Sequence, residues 1–411
     1  MSYIDRIQDF SPEAASGESE PLKVNNHLHT PYSFSAFATV EEALDQALEE
    51  NVQVVGVNDF YTFEAYQKWC DGAFKRGLFP LFNVEFIGIN QEDKKNGFLI
   101  NDPSNPGRIY ISGKALAYPS VLSDEDQKVL DDIMVLNNQR SEEMTQKLND
   151  WFKEVGFGYE LNFDDIKRNL TSGHVRERHL ALAIRLLAEK HYHYTERLLG
   201  FYLLLFGNKC FESNLHSSAG MENEIRSALL KAGKPAYVEE NPDAFAPSSV
   251  IKEIILKAGG VPTYPFLADA VRGYTDFERE LHKVTEGLKR RNIYSVELIP
   301  TRNSHQVLKE YAVYLRKHGF VVSFGTEHNS PGRQPIEVMA KGGVPLDDEL
   351  LKINYEGACI LAAHQYLFAK EGKGILNETG VFIQERREEF FNLGNALIKH
   401  VTCKKELHGV D

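Results

Sequence analysis

Two histidines separated by one residue, His27 and His29, close a short apolar run that begins at Leu22. If that run is a β-strand, residues i and i+2 share a face and both imidazoles converge at the strand end. Neutral imidazole suits zinc, iron and similar ions, so the pair supplies half of a borderline metal site. Two surface histidines would look the same, so the rest of the chain has to decide. Later apolar runs also end in polar groups: Asn58-Asp59-Phe60 follows Val52–Val57, and Glu85 closes the run from Leu78 to Phe86. Lys114 lies beyond Ile109–Ser112, Tyr264 ends the run from Val261, Glu297 and Arg302 flank Ile299, and Glu327-His328-Asn329 follows Phe320–Phe324. Chemistry in parallel α/β barrels collects at the carboxyl ends of strands, so this distribution fits a metal centre better than a scatter of surface residues.

The elements that must position these groups alternate. Thr39 and Glu42 form a capping-box pattern ahead of Val40–Leu48. The β-branched run from Val52, an aromatic helix over 65–76 and the strand from Leu78 follow in turn. After Ser248-Ser249 the alternation resumes, with helices over 250–258, 276–291 and 305–318 between strands at 261–264, 294–299 and 320–324. Strands alternating with helices imply βαβ units and a parallel sheet or barrel. Between them, residues 120–248 read as helical segments with few β-branched clusters, starting at Ser123-Asp-Glu-Asp and including 140–155 and 179–187. The organisation expected is a flexible arm over 1–20, an α/β barrel over 21–119 and 249–411, and an inserted, mostly helical domain over 120–248.

Composition narrows the class. The chain of 411 residues is 42% hydrophobic and 11% aromatic, enough for a sizeable core. A net charge of −13 without a long basic block argues against broad nucleic-acid or anionic-membrane binding, while leaving room for a small anionic substrate held by local cations. The four cysteines are scattered with no Cys-x-x-Cys spacing, and no signal-peptide pattern opens the chain. No apolar run is long enough to span a bilayer, and a cytoplasmic location is expected.

His27-Leu-His29-Thr, Asn58-Asp59, Asn83-Val-Glu85, Ala258-Gly-Gly-Val-Pro-Thr-Tyr-Pro and Gly325-Thr-Glu-His-Asn occur in the order found in the PHP (polymerase and histidinol phosphatase) superfamily, which the chain resembles over about 22–118 and 245–330. The resemblance implies a distorted seven-stranded, TIM-like (β/α) barrel with up to three metals at its strand ends. The insertion, with Lys231-Ala-Gly-Lys-Pro-Ala-Tyr-Val, is similar to that of family phosphoesterases acting on nucleotides and small phosphate esters. Several family positions are altered. The usual Thr-Asp-His is Asn58-Asp59-Phe60, Ala-His-Pro is Thr263-Tyr264-Pro265, and Gly-Ser-Asp-x-His is Gly325-Thr-Glu-His-Asn329. An acidic or histidine position falls on Ser35, and a fourth-strand histidine on Ser112, Gly113 or Lys114. By the resemblance, His27, His29, Glu85 and Glu327 correspond to the ligands of one family metal, and the partners of the other two are replaced. One intact set beside two dismantled ones implies a single divalent ion, zinc, manganese or iron.

The remaining strand-end groups have open roles. Asp59 is a general-base candidate or an orienter of the histidines. His328 is an acid/base candidate, a substitute ligand or a residue turned away. Lys114 is a substrate-binding candidate that stands where a lost cation would be. Tyr264 is a substrate donor or a packed aromatic, and Arg302, Arg333 and Asn329 are anion-binding candidates or solvated loop groups. His179 would face the site if the insertion covers the barrel, whereas His191 and His193, two apart on a helix, do not share a face. The expected function is a metal-dependent hydrolase, phosphoesterase-like, using a metal-activated water on a small anionic metabolite. The alternatives are a lyase or isomerase acting on a sugar acid through one metal, or a non-catalytic metal-binding homologue.

Overall fold

The structure is a computed structural model that describes residues 3–11 and 20–408. Seven strands form one sheet in sequence order: β1 (Val24–Leu28), β2 (Val54–Phe60), β3 (Phe79–Ile89), β4 (Arg108–Lys114), β5 (Val261–Phe266), β6 (Ser295–Leu298) and β7 (Val321–Phe324). Beyond β7 the sheet closes on itself. Leu28 bridges Glu327, with the His29 N–H donating to the Glu327 carbonyl at 2.9 Å and the Glu327 N–H to the His27 carbonyl at 2.8 Å. The result is a distorted TIM-like barrel surrounded by helices. It departs from the parallel expectation at β4, which runs antiparallel to both β3 and β5. Its carboxyl end therefore lies at the opposite end of the barrel from those of its neighbours, and Arg108 stands at the mouth.

Each strand is almost wholly buried because helices cover the outside, which explains the continuous apolar runs. Inside, the layers are polar rather than the usual Val, Ile and Leu. Ser112 lies opposite both Glu85 and Thr263, Thr263 opposite Ser295, and Glu297 opposite Ser323. In β1 the register shifts between Asn25 and Leu28, a bulge that brings consecutive Asn26 and His27 to groups of the same interior. Gly325 makes the closure possible, since a Cβ there would sit 2.2 Å from His27 Cβ.

The outer helices begin where the caps fall. Thr39 Oγ1 accepts the Glu42 N–H at 3.1 Å, while the Glu42 carboxylate reaches the Ala38 N–H rather than that of Thr39. Ser123 caps one helix of 31 residues, Asp124–Glu154, where the sequence had read separate segments. That helix contributes Leu130 and Ile133 to the barrel's apolar cluster and Met144, Leu148 and Phe152 to a second cluster. The second cluster is shared with the helices Glu177–His191 and Thr195–Leu205. At the amino end, residues 3–10 do not form the loose arm expected. Tyr3 begins a short helix and is buried against Phe74, Phe79 and Phe82, because its ring fills the outer wall behind β3. The rest of that expected arm, 12–19, lies outside the described residues. Among the described residues no helix is long and apolar enough to cross a membrane.

Candidate metal centre

At the barrel mouth three donor atoms converge. His27 Nε2 and His29 Nε2 are 3.3 Å apart, and each is 3.5 Å from Glu85 Oε2. Bonds of about 2.0–2.1 Å in tetrahedral geometry separate ligand atoms by roughly 3.3–3.4 Å, so this triangle has the dimensions of one face of a zinc-like site. The residues present fit a divalent ion. Both histidines are buried beneath Glu85, which lines the cavity above.

Each imidazole is fixed by its other nitrogen. His27 Nδ1 meets the Glu297 carboxylate at 2.9 Å, and Glu297 in turn accepts from the Lys114 ammonium at 2.6 Å. Asn58 Nδ2 also lies 2.9 Å from His27 Nε2. His29 Nδ1 is 3.3 Å from Ser33 Oγ, and its ring stacks between those of Phe34 and Phe60. The electrostatics separate the two rings. Burial pulls His27 down, but the Glu297 carboxylate outweighs it and raises the ring to about 9. Burial, then the charge on His27, holds His29 well below the usual histidine range. Burial also raises Glu85, against the pull of His27.

Several expected site residues lie elsewhere. Asp59 accepts the Thr30 N–H at 2.8 Å and the Ser33 hydroxyl at 2.6 Å, and does not line the cavity. Burial lifts its carboxyl to about 6 despite those bonds, and its place is behind His29, 3.9 Å from Nδ1 and away from the cavity. His328 adopts a left-handed backbone that turns it outward, where it bonds Thr326 Oγ1 and the Gln334 carbonyl and stacks on Phe37. Tyr264 alternates away from inward-facing Thr263, and its hydroxyl donates to buried Glu278 at 2.9 Å. Lys114 is fully buried below the triad and cannot touch a substrate in the cavity, because β4 runs the other way. Glu327 lines the cavity but does not join the triangle. Its Oε2 is taken by Arg302 and Asn329, two other expected site residues that share the cavity wall. Arg333 is exposed and paired with Glu49.

Above the triad opens a cavity of about 700 Å³, bounded by the mouth and by the helical segment. Its wall carries the cations Arg108, Arg140, Arg176, Arg178, Arg226, Lys231 and Arg302. Arg108 pairs with Glu240, Arg302 with Glu327, and Arg140, Arg226 and Lys231 converge on Glu177, which leaves Arg176 and Arg178 without a carboxylate at ion-pair distance among the described residues. Arg178 Nη1 donates to Ser330 Oγ at 2.9 Å, and burial followed by the charge of Arg226 lowers this guanidinium to about 10. Arg176 lies over the Phe60 ring, 4.9 Å from its centroid. The sequence reading passed over Arg176 and Arg178, although both sit at the start of the Glu177–His191 helix. Cations are unfavourable there, so a pair of them was the available signal for an anion nearby. His179 anchors this start, with Nε2 2.7 Å from the Ser33 carbonyl, which ties the helical segment to the loop behind His29. Glu297 stands on a strand that ends near the site, and nothing in its neighbouring residues marks it as the partner of His27 and Lys114.

No family model and no curated protein sequence matches the chain. Solved structures do share its fold. One is a protein from Bifidobacterium adolescentis named as a metal-dependent phosphoesterase, an assigned rather than demonstrated activity. It is 14% identical, with a TM-score of 0.52 over 82% of this chain and 96% of that one. Another is an amidohydrolase from Chromobacterium violaceum, solved with bound sulfate and no metal. It is 17% identical, with a TM-score of 0.52 over 81% of this chain and 96% of that one.

Proposed function

We propose that this protein is a metal-dependent hydrolase that cleaves a small phosphorylated or otherwise anionic substrate. The observation that carries the reading is the juxtaposition of a metal-sized triangle, His27, His29 and Glu85, with a deep cavity walled by arginines. The names of the two structural neighbours agree with it, and the sulfate in one of them is a tetrahedral anion held by the same fold.

A divalent ion held by His27 Nε2, His29 Nε2 and Glu85 would supply Lewis acidity and acidify a water. The chain's own residues do the rest. Arg302 and Arg178 stand on the wall beside Glu327 and bind the anionic group through charge-assisted hydrogen bonds. Arg176, over Phe60, closes the apolar side and adds a further guanidinium. Glu327, its Oε2 anchored by Arg302 and Asn329, takes the proton released when water attacks. Phe34 and Phe60 stack on His29 and exclude water from its ring.

The test is release of inorganic phosphate from a panel of small phosphate esters by protein loaded with Mn²⁺ or Zn²⁺. Turnover should vanish on chelation and fall by more than about a thousandfold in His29→Ala and in Glu85→Ala. Metal-loaded protein that hydrolyses none of the esters would sink the phosphoesterase form of the reading, and elimination or isomerisation of a sugar acid by the same protein would replace it.

A further inference from the structure

Beneath the triad the barrel holds a group that a hydrolytic site does not obviously need, a fully buried lysine. Lys114 Nζ lies 2.6 Å from Glu297 Oε1, 3.0 Å from the Asn26 carbonyl and 3.3 Å from Asn58 Oδ1. All three partners are oxygens, drawn from β1, β2 and β6, and they match the three donors of an ammonium. They form a cage of the kind that otherwise holds a hard cation. Burying an ammonium is costly unless it is paired and fully hydrogen-bonded, and here it is both. The other oxygen of Glu297 meets His27 Nδ1 at 2.9 Å, so the chain Lys114–Glu297–His27 ends at a ring whose Nε2 belongs to the triad.

We propose that this barrel carries its second cation as part of the polypeptide: Lys114 fixes Glu297 against His27 and fills the oxygen cage, so that the centre takes one divalent ion. Lys114 is then a positioning residue. With Nδ1–H of His27 held by Glu297, Nε2 can present its lone pair to the ion in place of the Asn58 Nδ2–H that lies 2.9 Å from it here, as carboxylate–histidine–metal arrangements require. Without the ammonium, Glu297 would be a buried carboxylate with only a histidine to neutralise it, and it would be free to bind a cation or to turn. Occupancy keeps a second ion out of this cage, since it would stand on the lysine nitrogen.

The inference rests on the metal reading proposed above, and the experiment separates the two. Wild-type protein stripped with chelator and titrated with Mn²⁺ is expected to bind one ion per chain by mass spectrometry of the metal and by calorimetry. Lys114→Met, which keeps the bulk and removes the charge, should bind Mn²⁺ about 10- to 100-fold more weakly with an unchanged circular-dichroism spectrum. An unchanged Kd in folded Lys114→Met overturns the role of Lys114 alone. Wild-type protein that binds no ion overturns the metal reading with it. If Lys114→Met does not fold, anomalous scattering from Mn²⁺-soaked wild-type crystals decides. One peak at His27, His29 and Glu85 supports the proposal, and a second peak within bonding distance of Glu297 overturns it.

Discussion

The barrel interior and the cavity wall both concentrate charge, yet they are built in opposite ways. In the interior, Lys114, Glu297, His27 and Asn58 come from short strands, have almost no exposed area, and hold one another at hydrogen-bond distance. On the wall, Arg140, Arg176, Arg178, Arg226 and Lys231 come from the helical segment and stand partly exposed on long side chains around open space, with Arg140, Arg226 and Lys231 sharing the single carboxylate of Glu177. Low dielectric and full pairing make the interior rigid, and any unmatched charge there is costly. The wall is different: solvent screens it, and its long side chains have rotamer freedom to lose. On the proposed reading, metal geometry is set by the sheet, and anion capture is shared between Arg302 at the sheet's mouth and the segment folded over it.

Glu297→Ala attacks the interior at its centre and carries the largest expected effect. It strands the Lys114 ammonium with only amide and carbonyl oxygens and frees the Nδ1 side of His27. Removing one partner of a buried pair costs roughly 3–5 kcal/mol. Urea denaturation of the metal-free protein should show that loss. A change below about 1 kcal/mol would mean that water reaches this layer and that interior and wall are not different environments.

That contrast was partly legible in the residues themselves. Period-two alternation and strand ends marked His27, His29 and Glu85, because His27 and Glu85 lie on strands whose direction follows from βαβ alternation and His29 directly follows the first of them. Lys114 was assigned to the mouth for the same reason, and wrongly, since nothing in Arg108–Lys114 encodes that β4 runs antiparallel. Of the two roles open to Tyr264, the pleat selects the packed aromatic: with Thr263 facing Ser112, its neighbour has to face out. The bulge that turns Asn26 and His27 to one interior is a backbone irregularity without a residue signature. Arg108 and Arg302 lie on or beside strands, but Arg140, Arg176, Arg178 and Arg226 come from residues far from them, and only folding brings Arg178 to Asn329 and Ser330.

Arg178→Ala probes the wall and should separate binding from metal affinity. Its guanidinium is mostly enclosed, donates to Ser330 and Asn329, and faces the cavity beside Glu327. Loss of one such contact with an anionic substrate is expected to raise KM about 10- to 100-fold. The ion bound per chain and its Kd should stay as in the wild type. Steady-state kinetics beside a metal titration check this, and a parallel fall in metal affinity would join wall and interior into one unit.

The smallest effect is expected at Arg333, and it tests whether position or mere positive charge matters. Its side chain is 73% exposed, lies outside the cavity and pairs with Glu49 across solvent. Exposed pairs of this kind contribute little, because side-chain entropy and screening offset the attraction. Arg333→Ala removes the same unit of charge as Arg178→Ala yet should change kcat/KM by less than about twofold. If the two variants lost activity equally at low ionic strength and recovered together in salt, anion capture would belong to the protein's long-range field. If only Arg178→Ala is impaired, and salt does not rescue it, capture resides in the contacts of the cavity wall, above the proposed metal site.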